Sequence, residues 1–195
     1  EQELKFLKMQ IHPHFLFNSL NTIYGFALKK KNEAPEMILK LSNLLDYILY
    51  QVDKPTVSLV DEIHHLEDYI SLEEMRFHDT LIVTFNKSEL TSDIQIAPML
   101  FIPFLENSFK HGKIIDEKLS INIDLKIDHN ILIFEIVNTS ESKDKQGNGI
   151  GLENIQKRVK MLYPNAHNLI VEHSKNQFKV QLQITIDGLK TKKDV

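Results

Sequence analysis

Residues 119–137 read LSINIDLKIDHNILIFEIV. In the first half Leu119, Ile121, Ile123, Leu125 and Ile127 alternate with polar residues, the period of two that turns one face of a strand toward a core. In the second half Ile131 to Val137 is a nearly continuous apolar run, which suits a strand buried on both faces. Alternation recurs upstream at Leu81, Val83 and Phe85, and downstream without exception at Phe178, Val180, Leu182, Ile184 and Ile186. Helical stretches fall between these strands, near residues 96–111 and 152–163. Such an order predicts an α+β unit: a mixed sheet with helices gathered on one face.

Upstream the period changes. Leu4, Leu7 and Ile11, then Phe15, Leu16, Leu20 and Ile23, recur in steps of three and four, a helical face that Pro13 interrupts and kinks. After a polar break with Pro35, Leu41, Leu45, Ile48 and Val52 repeat the pattern. Two helices joined by a short loop make an antiparallel hairpin, and one of this length covers its apolar surface most economically by pairing into a four-helix bundle. Asp53-Lys54-Pro55 reads as a boundary. Beyond it Ser58 and Asp61 resemble a capping pair, opening a helix with Leu59, Ile63, Leu66 and Ile70 on one face. The expected units are therefore 1–53, 54–187 and a tail at 188–195.

Composition narrows the class. The 195 residues are 42% hydrophobic and 26% charged, with a net charge of -4, which is globular and lacks the basic footprint of direct nucleic-acid binding. No cysteine is present, which excludes disulfides and thiolate metal sites and fits a reducing cytoplasm. No run approaches the roughly 20 apolar residues of a membrane-spanning helix. The chain begins without Met inside a helical pattern, and is expected to be a fragment.

Three motifs carry chemistry. In Glu106-Asn107-Ser108-Phe109-Lys110-His111, Asn107 and His111 lie one helical turn apart, as do Glu106 and Lys110. Their amide and carboxylate oxygens suit Mg²⁺, and they equally suit a solvated helix face. In Gly147-Asn148-Gly149-Ile150-Gly151-Leu152, three of the six glycines of the chain fall within five residues, ahead of the helical pattern Leu152, Ile155, Val159, Leu162. Glycines let a backbone approach phosphate, and a helix N-terminus offers N–H groups to anions; a plain surface loop has the same look. In QIHPHFLFNSLN, residues 10–21, His12 and His14 are two apart and point to different sides of a helix, so they are poorly placed to share a metal. Each is either a core histidine or a nucleophile competent near neutral pH.

The order of the three is more specific than any one of them. QIHPHFLFNSLNTI, PMLFIPFLENSFKHG and GNGIGLENIQKRVKMLYP together resemble the LytS/YehU-type sensor histidine kinases, over nearly the whole chain from about Leu4 to Ile186. The resemblance implies a dimerisation and phosphotransfer hairpin followed by a GHKL-type ATP-binding domain, and a protein-histidine kinase activity. It implies that His14 is the phosphoacceptor and that Asn107 binds Mg²⁺ between the ATP phosphates. Glu106 would have a catalytic part there, with Lys110 and His111 lining the nucleotide. Gly147, Gly149 and Gly151 would form the lid, followed by Leu152. Asn154, Arg158 and Arg76 match recurrent positions.

The sequence also departs from the family pattern. Phe15 stands where other histidine kinases carry an acidic residue after the phosphorylated histidine, His12 where many relatives have Asn, and Asp46 where they often have Arg. Val137-Asn138-Thr139-Ser140 replaces the usual Asp-x-Gly-x-Gly, leaving Asn138 to accept from adenine without charge. Partners implied are a second copy of the chain and a response regulator of LytTR type, with a membrane reached only through an upstream region and the chain itself on the cytoplasmic side. Two rivals stand beside this reading: a dimeric pseudokinase scaffold, favoured by the altered adenine motif, and another GHKL ATPase, against which the His14 segment counts.

Overall fold

The computed structural model describes residues 13–88, 94–140 and 150–186. Its first elements are helices α1 (Pro13–Leu28) and α2 (Glu33–Tyr50), an antiparallel pair. Their turn is closed by hydrogen bonds from Lys30 N–H to Ala27 O and from Lys31 N–H to Phe26 O, with Lys30 left-handed at φ 52°, a position glycine usually takes. Pro35 lies inside the first turn of α2 rather than in the break before it, where its missing N–H has no helical partner to lose. The residues before Pro13, with His12, lie outside the described set.

Ser58 caps α3 (Leu59–Phe77), its hydroxyl accepting from Val60 N–H at 3.2 Å. As expected, Leu59, Ile63, Leu66 and Ile70 are buried along one face. A short turn leads to β2 (Leu81–Lys87), and two-residue strands β1 (Val57–Ser58) and β3 (Gln95–Ile96) pair antiparallel beside it in sequence. The main sheet adds β4 (Leu119–Asp128), β5 (Ile131–Thr139), β6 (His167–His173) and β7 (Gln177–Thr185) in the order β2-β4-β5-β7-β6. Only β2 and β4 run parallel; the rest are antiparallel, giving the mixed sheet of an α+β fold.

Helices α4 (Ile102–His111) and α5 (Ile150–Leu162) complete the structure. α4 starts later than its apolar pattern suggests, because Met99 is left-handed (φ 57°) and the preceding segment is a turn. One face of the sheet is buried: Ile121, Ile123, Leu132, Phe134, Ile136, Val180 and Leu182. Phe134 stacks on Phe101 at 4.6 Å, and a fully buried ring of this kind contributes about 1.5–3 kcal/mol. The expectation that β5 is buried on both faces is corrected here, since Ile133, Glu135 and Val137 on the other side remain half-exposed. The two halves of the chain are in contact. Lys40 on α2 pairs with Asp68 on α3 at 3.2 Å, and Tyr47 of α2 is wholly inside. In contrast, Phe17, Tyr24, Leu28, Ile38, Leu39, Leu49 and Tyr50 leave an exposed apolar surface on the hairpin.

Candidate functional site

The site begins with how α4 is held. The fully buried Glu62 accepts hydrogen bonds from Met99 N–H (2.9 Å) and Leu100 N–H (2.7 Å), N–H groups of the turn that leads into α4. A carboxylate at a helix N-terminus also meets the positive end of the helix dipole. Tyr47 donates to the same carboxylate. Burial and that carboxylate push the Tyr47 phenol far above its usual range, so it stays a donor. Arg158 on α5 donates to Pro98 O at 2.9 Å, and Ala97 N–H donates to Tyr163 Oη at 2.8 Å. The turn 97–101 is thus fastened by α2, α3 and α5 at once.

At the other end of α4 the expected site residues divide by environment. Glu106 is buried, Asn107 half-buried, and Lys110 and His111 exposed. Gly151, in the first turn of α5, comes so close to Asn107 that a Cβ placed on it would lie 3.0 Å from Asn107 Oδ1. Asn138 lies on the buried face of β5, 1% exposed, at the end of the row Leu132, Phe134, Ile136. Its Nδ2 donates to Thr139 O at 3.0 Å, while its Oδ1 is buried without a hydrogen-bond partner among the described residues. Gly112, just past α4, faces the same amide: a Cβ there would come 3.5 Å from Asn138 Nδ2 and 2.5 Å from both Leu119 Cδ1 and Ser108 O. Asn107, Gly151, Asn138 and Gly112 therefore line the end of α4 and the adjoining end of β5. Leu152 turns into the core, Asn154 is half-buried, and Gly147 and Gly149 lie outside the described residues.

His14 is exposed near the start of α1. Asn18, one turn on, approaches its ring with Nδ2 3.1 Å from Nδ1 and 3.3 Å from Nε2. The next residue, Phe15, is buried and stacks on Tyr69. Arg76 pairs with the buried Glu73 and lies 4.3 Å over the Phe77 ring. Asp46 is exposed. Among the described residues no group of three or more His, Cys, Asp or Glu side chains is placed to hold a metal ion. Any Mg²⁺ would rest on few protein ligands, as it commonly does beside phosphates. Sequence reading missed Glu62, Gly112 and Asn18. Of these, Asn18 had a local signal, since i and i+4 share a helix face.

Residues 2–81 match the family model described as histidine kinase. Sensor protein LytS of Oceanobacillus iheyensis is 28% identical over 93% of this chain and 34% of its own length. Sensor histidine kinase YpdA of Escherichia coli is 30% identical over 83% of the chain and 30% of its own length. The chain thus spans about a third of the length of these relatives. Among solved structures, the histidine kinase domain of the blue-light activated histidine kinase of Erythrobacter litoralis superposes with TM-score 0.55 at 12% identity, over 86% of this chain and 94% of that one. A bacterial phosphotransferase superposes with TM-score 0.55 at 8% identity, over 93% and 96%. At these identities the likeness is one of fold: the α+β architecture is that of histidine kinase catalytic domains.

Proposed function

Since this chain belongs to the LytS-type sensor histidine kinases, we propose that it uses ATP to phosphorylate His14 and passes the phosphate to an aspartate of a response regulator, one of LytTR type. Residues 1–53 would be the dimerisation and phosphotransfer hairpin, 54–187 the ATP-binding unit and 188–195 a tail. The exposed apolar residues of the hairpin support pairing with a second copy of the chain. The reading extends to attachment of the whole protein to a membrane, with this part on the cytoplasmic side, which the likeness to sensor proteins supports. No described helix is long and apolar enough to cross a membrane.

The observation that carries the nucleotide reading is the pair of features at the end of α4. Asn138 Oδ1 is a buried acceptor with no donor among the described residues, and an adenine amino group would supply one. Gly151 keeps the α5 N-terminus bare beside Asn107, where backbone N–H groups and the glycines Gly147 and Gly149 would meet phosphates. Lys110 and His111, exposed at the end of α4, would face the same charge, with Glu106 beside Asn107 in a catalytic part. Mg²⁺, held by Asn107 and the phosphates, would neutralise charge on the transferred group.

In the reaction the lone pair of a His14 ring nitrogen attacks the γ-phosphorus. A nitrogen–phosphorus bond forms as the bond to the bridging oxygen breaks, ADP leaves with that electron pair, and the other ring nitrogen gives its proton to water. Asn18 holds the ring by its side-chain amide, and the rest is positioning. The test is incubation of the chain with γ-labelled ATP and Mg²⁺ beside His14→Ala and Asn107→Ala. Acid-labile, alkali-stable label that both substitutions abolish is the expected result. ATP binding with no label on wild type would favour the second reading, a nucleotide-binding scaffold, which the uncharged Asn138 supports.

A further inference from the structure

Four residues along α1 are buried at helical spacing: Phe15, Ser19, Ile23 and Phe26. Both ends of this stripe are anchored by rings of the same chain. Phe15 lies 4.3 Å from Tyr69 at an interplanar angle of 20°, and Phe26 lies 5.6 Å from His78, just after α3. The buried Tyr69 reaches further: its ring is 6.1 Å from Phe109 on α4, and Phe109 in turn lies 6.0 Å from Phe77. Burial, and after it the charges of Glu106 and Glu73, hold the Tyr69 phenol well above its usual range, against the opposite pull of Arg76. One side of Tyr69 thus meets the residue next to His14, and the other meets the helix that carries Asn107.

From this arrangement we infer that Tyr69 is a positioning residue that sets His14 against α4 of its own chain, so that phosphoryl transfer is intramolecular. The inference deepens the kinase reading and rests on it. Successive residues on a helix are 1.5 Å apart in rise and about 100° apart in direction, so seating Phe15 on Tyr69 determines where the His14 ring emerges. Stacked buried rings resist sliding because their contact is both apolar and geometrically specific. While Phe15 and Phe26 stay seated on Tyr69 and His78, α1 keeps a fixed relation to α3 and α4 of its own chain. Phe15 therefore has a task where other histidine kinases carry an acidic residue: it seats the helix.

The route is tested by co-expressing full chains that carry His14→Ala and Asn107→Ala under different tags, then incubating the mixed preparation with γ-labelled ATP and Mg²⁺. In mixed pairs isolated through both tags, an intramolecular route leaves both chains unlabelled. Label on the Asn107→Ala chain would overturn it. The positioning role is tested by Tyr69→Leu and Tyr69→Phe. Tyr69→Leu is expected to lower the maximal rate of His14 labelling on the order of 10²-fold, with KM for ATP within about twofold, while Tyr69→Phe keeps the ring and the rate. Phosphoramidate, a small phosphodonor that needs no ATP site, should label His14 equally in wild type and Tyr69→Leu. Loss of that labelling, a parallel change in KM, or failure of Tyr69→Phe to restore the rate would reduce Tyr69 to a structural residue and overturn the proposal. If wild type takes label from phosphoramidate and none from ATP, the kinase reading itself has failed and this inference falls with it.

Discussion

Tyr47 on the hairpin and Glu62 on α3 share a hydrogen bond inside the protein, and the same carboxylate holds the N–H groups of Met99 and Leu100. Glu62→Ala strips those buried donors of their acceptor and is expected to cost about 1–3 kcal/mol or more, as stranded buried polar groups do. Tyr47→Phe removes one donor to that buried carboxyl group and is expected to cost about 1–3 kcal/mol. Urea unfolding midpoints of the two variants beside wild type check both; equal, small losses would show that the network carries little of the stability.

Gly151→Ala separates binding from folding. Alanine raises helix propensity by about 1 kcal/mol, so thermal stability should hold or rise. Its methyl group would press on Asn107 Oδ1, 3.0 Å away, and the side chain must give. We expect ATP affinity to fall several-fold, on the order of 1 kcal/mol, in a titration with a fluorescent nucleotide. Unchanged affinity would remove Asn107 from the nucleotide site.

Asn138→Ala tests the adenine contact. Loss of one neutral acceptor is expected to weaken ATP binding by about 1 kcal/mol and to erase most discrimination between ATP and GTP. Competition between the two nucleotides for the same labelled probe gives the answer. Retained discrimination would mean that another group reads the base.

Glu73 gives the fold a pH dependence. Burial pushes its carboxyl up to about 7, against the pull of Arg76 in the opposite direction. Between the ordinary carboxylate range and pH 7 the folded chain keeps a proton that the unfolded chain has released. Stability attributable to this group is therefore present below that window and is lost as pH rises through it. Glu73→Gln should flatten the decline in unfolding midpoint between pH 5 and 7.5. A decline of the same slope in the variant would assign it to other groups.

Much of this was legible from residue order. The strand alternations at 81–85, 119–127 and 178–186 appear where they were read, because one buried face imposes a period of two. β6 escaped notice because it is an edge strand of mixed character, with exposed residues between half-buried ones. Asn138 carried a signal that spacing alone makes visible: it occupies the buried phase of β5, where Leu132, Phe134 and Ile136 precede it, so a polar group there calls for a partner. Glu62 carried none. In DEIHHLE it reads as one more charge on a solvated helix, and its role depends on backbone groups 37 and 38 residues away. The left-handed Met99 was hidden for the same reason, since methionine at that position announces no turn.

The Tyr47–Glu62 bond also bears on how chains of this family can be recombined. A chimera spliced at Asp53-Lys54-Pro55 would take the phenol from one parent and the carboxylate from the other. A parent with an apolar residue at the first position would leave a sealed-in carboxyl group short of a partner. Splices that move residues 47 and 62 together should yield folded, exchangeable modules, whereas splices between them should succeed only when both parents happen to supply that pair.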